Sequence, residues 1–157
     1  MQNPMPDNSP GSERFTIPVR LAASPYDVII GGGLAGECGP LIAEKAGRRK
    51  KCALITDNRV GPLYAEKVAE SLRATGLETS LHEVPSGENS KCMSCAERLC
   101  ECLIRSGHDR SSFIVALGGG VVGDLAGFVA SIYFRGIPYV QMPTTIVAQV
   151  DSSVGGK

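Results

Sequence analysis

Two stretches of this sequence place glycines where a phosphate could meet bare backbone. In "YDVIIGGGLAGECG", residues 26–39, Gly31, Gly33 and Gly36 stand at the spacing G-x-G-x-x-G after a short β-branched run; in "VALGGGVVGDLAG", Gly118, Gly120 and Gly123 repeat that spacing. A glycine turn opening a helix aims N–H groups and the helix dipole at one point, the arrangement that binds a pyrophosphate. The first run satisfies the dinucleotide fingerprint better, because the strand that follows ends in Asp57, 21 residues beyond Gly36, where an acid would bind a ribose hydroxyl. The second run lacks such an acid, yet its three consecutive glycines close a buried apolar strand. For the first run a plain turn into a helix is the competing reading; for the second it is tight packing of helix on strand.

Other residues carry weaker signals. "PSGENSK" (85–91) supplies Glu88 and Lys91 at a strand-to-helix junction, where Ser86 as a cap and Glu88 or Asn89 in a first turn explain much of the pattern. In "CMSCAERLCEC" (92–102), Cys92, Cys95, Leu99, Cys102 and Leu103 share one broad helical face. A single helix at 1.5 Å per residue spreads such thiols over ~15 Å, too far for one tetrahedral metal, so they read as small apolar packing residues, with metal or redox use as the minor alternative. "MPTTIVAQVDSSVGGK" (142–157) is polar for a segment after a buried strand and reads as a ligand-facing loop at the carboxyl edge of a sheet. It is not a Walker A loop, since Asp151 stands where the first glycine of G-x-x-x-x-G-K belongs. His82 and His108 are isolated in sequence and read as surface residues.

The elements that must position these groups alternate. "FTIPVRL" (15–21) and "YDVII" (26–30), joined by a turn at Ser24-Pro25, form a strand pair, with Pro18 marking an edge. Then come a helix over 34–47, a strand over 51–56, and a helix over 61–75 with Tyr64, Val68 and Leu72 on one face, which Gly76 stops. A strand over 77–84, a helix over roughly 89–106, a buried strand over 112–117, a helix over about 121–134 and a strand over 137–142 complete the set. The expected class is α/β: a Rossmann-like, mostly parallel sheet with helices on both faces, plus an N-terminal β-hairpin.

The chain has 157 residues, 43% of them apolar, enough for one domain with a real core. Sixteen basic against sixteen acidic residues argue against nucleic acid as a partner. Residues 1–14 read as a disordered tail without the apolar stretch of a signal peptide, and no run approaches the ~20 residues of a membrane span. The cytoplasm is the expected compartment, with the six cysteines as reduced thiols. Residues 15–157 form the expected domain. It stops at Lys157 inside a polar segment, without turn or cap, and so reads as truncated at its carboxyl-terminal edge.

The run from Gly118 to Lys157, with "SPYDVIIGGGL", "TDNRV" and the P-x-G-E-x-x-K loop "PSGENSK", resembles the amino-terminal NAD-binding domain of 3-dehydroquinate synthases, within the sugar-phosphate cyclases. The resemblance covers residues 15 to 157 and implies a phosphate-eliminating lyase of the shikimate pathway. That enzyme converts the substrate 3-deoxy-D-arabino-heptulosonate 7-phosphate to 3-dehydroquinate and phosphate, uses NAD and a divalent Zn or Co, and works as a homodimer. It implies that Asp57 and Asn58 hold the adenosine ribose; Ser86, Gly87, Glu88 and Lys91 form a second NAD loop; Gly119, Gly120, Val121, Val122, Gly123 and Asp124 make the pyrophosphate turn; and Thr144 and Thr145 lie on the nicotinamide side. Asp151 and Lys157 are implied near the reacting carbon, Lys157 also beside NAD, and Arg135 as a substrate-anion binder across the dimer, a task that suits an Arg fork. The family's metal ligands, one Glu and two His from a carboxyl-terminal helical domain, match no residue here, so this chain alone is expected to be inactive. The alternatives are a 2-deoxy-scyllo-inosose synthase-like cyclase, an iron-alcohol or glycerol dehydrogenase-like domain, a non-enzymatic NAD-binding module and, from "DVIIGGGLAG", a flavoprotein. On this reading the glycines at 31–36 make only a structural turn.

Overall fold

The computed structural model describes residues 14–21 and 25–154. Of the tail expected over 1–14 only Arg14 is among them, paired with Glu37; Ser24 of the expected turn and Lys157 lie outside the described residues.

Strands β1 (Phe15–Val19) and β2 (Tyr26–Ile30) pair antiparallel, Phe15 opposite Ile30 and Pro18 opposite Asp27, and form a two-stranded sheet of their own. The chain continues through α1 (Leu34–Ala46), β3 (Lys51–Asp57), α2 (Gly61–Arg73), β4 (Glu78–Val84), α3 (Met93–Arg105), β5 (Phe113–Gly118), α4 (Gly120–Ile132) and β6 (Tyr139–Pro143). Strands β3 to β6 make one parallel sheet in the order β4-β3-β5-β6. The crossover from β3 leads outward to β4 and that from β5 leads the opposite way to β6. Strands β3 and β5 therefore flank a topological switch point, where open α/β sheets bind ligands beyond their carboxyl ends.

Successive side chains of a strand point to opposite faces, and here both faces are covered. Cys52 and Leu54 of β3, with Phe113, Val115 and Leu117 of β5, pack against Ile42 of α1 and Val68 and Leu72 of α2. Ala53, Ile55, Ile114 and Ala116 pack against Leu99 and Leu103 of α3 and Val122, Leu125 and Val129 of α4. Strand β5 is buried along its whole length, so its sequence has no polar alternation to show.

Differences from the expected elements have local causes. On α2, Val68 and Leu72 are buried but Tyr64 is 42% exposed, so the expected three-residue face covers the sheet with only two of them. The helix expected from 89 begins at Met93. Gly87 takes φ 103° and the Ser90 hydroxyl donates to the Pro85 carbonyl at 2.5 Å. Together they close a compact loop with a 3-10 turn over Glu88–Ser90, and the chain straightens at Cys92 before α3. Helix α4 ends at Ile132, where Phe134 and Arg135 turn into positive φ. No described helix is long and apolar enough to cross a membrane.

Candidate cofactor site at the carboxyl edge of the sheet

The centre of the site is the turn from β5 into α4. Gly119 is the N-cap of α4, with φ −77° and ψ −169°, and no side chain caps the helix. Its first N–H groups thus have no helical partner and carry the positive end of the dipole. Glycine is needed for space at Gly118, where a Cβ would lie 2.6 Å from Val122 Cγ2; one on Gly119 would come to 3.0 Å from Thr145 Cγ2 and one on Gly120 to 3.2 Å from Ser152 Oγ, close contacts with side chains alone.

The segment after β6 settles on this turn. Thr144 N–H donates to the Gly118 carbonyl at 3.0 Å, while Thr144 Oγ1 is buried without a hydrogen-bond partner. Thr145 Oγ1 accepts from Ala148 N–H at 3.2 Å. The expected ligand-facing loop is not an open loop: over Ala148–Ser152 it winds as a π-helix, a form common near functional sites, with Asp151 exposed upon it. Gln141 anchors it, donating from Nε2 to the Ser153 carbonyl at 3.3 Å and filling the space that a Cβ on Gly123 would need, 2.8 Å from Oε1. Sequence reasoning missed Gln141; its one visible signal was polarity inside an otherwise apolar strand.

Strand β3 brings Asp57 beside this turn, since Thr56 is in register with Leu117. Asp57 is 8% exposed, and its Oδ1 accepts N–H bonds from Arg59 at 2.8 Å and Val60 at 2.9 Å. The carboxylate is thereby fixed into the entry of α2, and Oδ2 is the oxygen left to meet a ligand. Beside it the Thr56 hydroxyl is fully buried without a partner, a second residue that sequence reasoning passed over. Asn58 ties two loops together: its N–H donates to the Val84 carbonyl at 3.2 Å and its Oδ1 accepts from Ser86 N–H at 3.0 Å. Ser86 therefore does not cap α3; Cys92 holds the N-cap position.

Lys91 spans the remaining distance. Its Nζ lies 3.1 Å from Asp124 Oδ2 on α4 and 3.2 Å from Glu88 Oε2, and the hydrogen bond to Asp124 is the main cause that holds its ammonium above the usual lysine value. The carboxyl ends of β3, β4, β5 and β6 thus gather Asp57, Asn58, the 86–91 loop, the 119–124 turn, Thr144 and Thr145. Arg135 is not brought to this group. It follows the far end of α4, whose 13 residues span ~20 Å at 1.5 Å each.

The first glycine run stands elsewhere, because β2 is outside the parallel sheet. Gly33 takes φ 74° and accepts from Gly36 N–H at 3.0 Å. A Cβ on Gly36 would lie 2.4 Å from Lys67 Cε and one on Gly39 only 1.9 Å from the Ser71 carbonyl oxygen. These glycines form a turn and let α1 and α2 approach.

His82 and His108 correct the surface reading. They are 8% and 6% exposed, and their Nε2 atoms lie 2.7 and 2.6 Å from one hydroxyl, Ser80 Oγ. Burial is the main cause that pushes both imidazoles below the usual value. The packing expectation for the cysteines holds only in part: of the three expected on one face Cys95 packs on the core, Cys102 is half-buried outside the core cluster and Cys92 is exposed, while Cys100, not expected there, packs on the core. Among the described residues no group of three or more His, Cys, Asp or Glu could hold a metal ion.

Comparisons with known proteins agree with this fold. The 3-dehydroquinate synthase of Desulforamulus reducens is 48% identical over 142 residues, covering 90% of this chain and 39% of its own, so the chain spans about two fifths of that relative's length. A 2-deoxy-scyllo-inosose synthase crystallised with carbaglucose-6-phosphate, NAD+ and Co2+ superposes with a TM-score of 0.79 at 26% identity, over 88% of this chain and 38% of that one. The 2-epi-5-epi-valiolone synthase of Streptomyces hygroscopicus, with NAD+ and Zn2+ bound, gives 0.71 at 29% identity over 87% and 37%. An iron-containing alcohol dehydrogenase at 20% identity, with a TM-score of 0.55 over 69% of this chain and 33% of its own, shares the fold alone. Residues 81–157 match the family described as 3-dehydroquinate synthase N-terminal, and over nine tenths of its length the chain is similar to the amino-terminal portion of a 3-dehydroquinate synthase.

Proposed function

We propose that this chain is the nucleotide-binding part of a 3-dehydroquinate synthase, which converts 3-deoxy-D-arabino-heptulosonate 7-phosphate to 3-dehydroquinate and phosphate with NAD as cofactor, in the cytoplasm and as a homodimer. The observation that carries the reading is the uncapped first turn of α4 at the switch point, one strand from the Asp57 carboxylate. The residues fit a dinucleotide: uncapped N–H groups suit a pyrophosphate, and the buried, unpartnered Thr144 hydroxyl suits a polar ring substituent.

When bound, NAD supplies transient oxidation of a ring hydroxyl, which acidifies the neighbouring C–H. In this reading the N–H groups of the 119–122 turn hold the pyrophosphate and Asp57 Oδ2 accepts from the ribose hydroxyls. Lys91 offsets phosphate charge from across the groove, and Asn58 keeps the 86–91 loop against it. Thr144 and Thr145 orient the nicotinamide side. Asp151 and Lys157 serve the substrate, and Arg135, remote from the turn in its own chain, serves the partner subunit's substrate anion. The Co2+ or Zn2+ of the structural neighbours has no counterpart among the described residues, so no step is assigned to a metal.

Calorimetric titration of the chain tests the reading. One NAD+ per chain is expected, with Asp57→Ala weakening it and NADP+ binding less well, since a 2′-phosphate would face the carboxylate. Absence of NAD+ binding at millimolar concentration overturns the proposal. The chain alone is expected to release no phosphate from the heptulosonate phosphate, even with NAD+ and Zn2+ or Co2+, and turnover above background would contradict that assignment. Another sugar-phosphate cyclase is the second reading, favoured only by the structural neighbours, at 26% and 29% identity against 48% for the synthase.

A further inference from the structure

Cys92-Met93-Ser94-Cys95 places two thiols at the start of α3, and the cofactor site uses neither. Cys92 occupies the N-cap with extended angles, φ −137° and ψ 157°, is exposed, and sets its sulfur 3.2 Å from Ser94 Oγ. Cys95 lies one turn on, half-buried against the core, with Arg98 Nη2 4.0 Å from its sulfur. Residues three apart on a helical turn have Cβ atoms ~5–6 Å apart, and a disulfide needs ~3.5–4.5 Å, a difference that the extended N-cap residue can absorb.

The two thiols are not equivalent. The Ser94 hydroxyl, then the N–H and thiol of Cys95, hold the Cys92 thiol below the usual value, while Cys92 pushes that of Cys95 up. A helix N-terminus stabilises the thiolate further. Cys92 is thus placed as the attacking sulfur and Cys95 as the resolving one. Burial raises the thiols of Cys38, Cys52 and Cys100 instead.

We propose that Cys92 and Cys95 form a redox-active dithiol that exchanges with small-molecule disulfides. The Cys92 thiolate attacks one sulfur of the small disulfide, whose S–S bond breaks; one thiolate leaves and takes a proton from solvent. Cys95 gives its proton to solvent and attacks the Cys92 sulfur of the mixed disulfide, expelling the second small thiol. The protein loses two hydrogens and the disulfide is reduced to two thiols. Cys92 follows Lys91 directly, so the new bond stiffens the junction from which Lys91 reaches Asp124.

The test incubates the whole chain with glutathione disulfide, blocks remaining thiols with iodoacetamide and digests it with trypsin. Cleavage after Lys91 and Arg98 isolates residues 92–98, with both cysteines and no others. Expected are a 92–98 peptide lighter by two hydrogens, alkylated peptides for Cys38, Cys52 and Cys100, and reversal by dithiothreitol. Cys95→Ser should hold one glutathione on Cys92, and Cys92→Ser none on this peptide. A stable glutathione adduct in the unsubstituted chain without an internal bond, or alkylation of Cys92 no faster than of Cys102, would overturn the proposal.

Discussion

Lys91 Nζ stands 3.1 Å from Asp124 Oδ2, joining the loop after β4 to the second turn of α4 across the carboxyl edge of the sheet. Both side chains are about one-third exposed, 34% and 35%, so the pair stabilises the fold by no more than ~1 kcal/mol. Its larger role is to hold a cation beside the uncapped helix start. Lys91→Met should leave the unfolding midpoint within a few degrees and weaken NAD+ binding ~10–100-fold, the worth of one hydrogen bond to a charged group. Calorimetry beside thermal unfolding separates the two effects, and equal NAD+ affinity would remove Lys91 from the site.

The two glycine runs should respond oppositely to alanine. On Gly39 a Cβ meets backbone, 1.9 Å from the Ser71 oxygen, so Gly39→Ala must force α1 and α2 apart at a cost of ~1–3 kcal/mol or more. On Gly119 it meets only the Thr145 side chain, nearest at the methyl, 3.0 Å away, at a φ of −77° that alanine accepts. Gly119→Ala should therefore fold nearly normally and lose NAD+ affinity, because the methyl group crowds the backbone that a pyrophosphate approaches. Urea denaturation and NAD+ titration of both variants check this; a Gly119→Ala chain that binds normally would shift the site elsewhere.

That contrast also shows how far the sequence could be read. The buried run of β5 and the glycines after it were legible, because a strand covered on both faces must be apolar throughout and a turn this tight must be bare. The spacing at Gly31, Gly33 and Gly36 was equally good, and nothing local to it says that β2 pairs with β1 outside the parallel sheet. Sheet membership is set by contacts distant in sequence, so the two runs could be separated by resemblance but not by pattern. The convergence of His82 and His108, 26 residues apart, was hidden for the same reason. The late start of α3 depends on a hydrogen bond from Ser90 to Pro85, for which composition gives no sign.

The histidine pair makes the fold sensitive to acid. The Ser80 hydroxyl has one proton for two imidazoles, so at most one Nε2 accepts from it and at least one donates to it. His108 Nδ1 is buried without a partner, which favours the tautomer with its proton on Nε2. Burial leads the causes that depress both values below the ordinary 6.5; the charge of His108 adds to this at His82, Lys51 adds at His108, and Asp109 opposes it there. Below about pH 6.5 the unfolded chain binds protons that the native chain resists, so stability is full above that pH and declines as pH falls, by at most ~1.4 kcal/mol per unit for each group. Urea midpoints from pH 8 to pH 5.5 should fall for the unsubstituted chain and less for His82→Gln, which keeps an acceptor but cannot titrate. Parallel curves would exclude the pair as the cause.

Arg135 offers a test in which backbone and side chain can be separated. It takes φ 68°, next to Phe134 at φ 47° and ahead of Gly136 at φ 111°, and a non-glycine residue held left-handed costs ~1–2 kcal/mol. Such strain persists where the surrounding structure imposes it, often where a side chain is wanted in a particular place. Arg135→Ala keeps the Cβ and so the strain, and should not gain stability. Arg135→Gly removes it at an entropic cost of ~0.5–1 kcal/mol in the unfolded chain, so it should be more stable than the alanine variant by up to ~1 kcal/mol. Both lack the guanidinium and should lose substrate-anion binding alike in an intact enzyme, whatever their difference in stability. If Arg135→Gly binds substrate as well as the unsubstituted protein, the strained turn serves the fold and the anion is held by another residue.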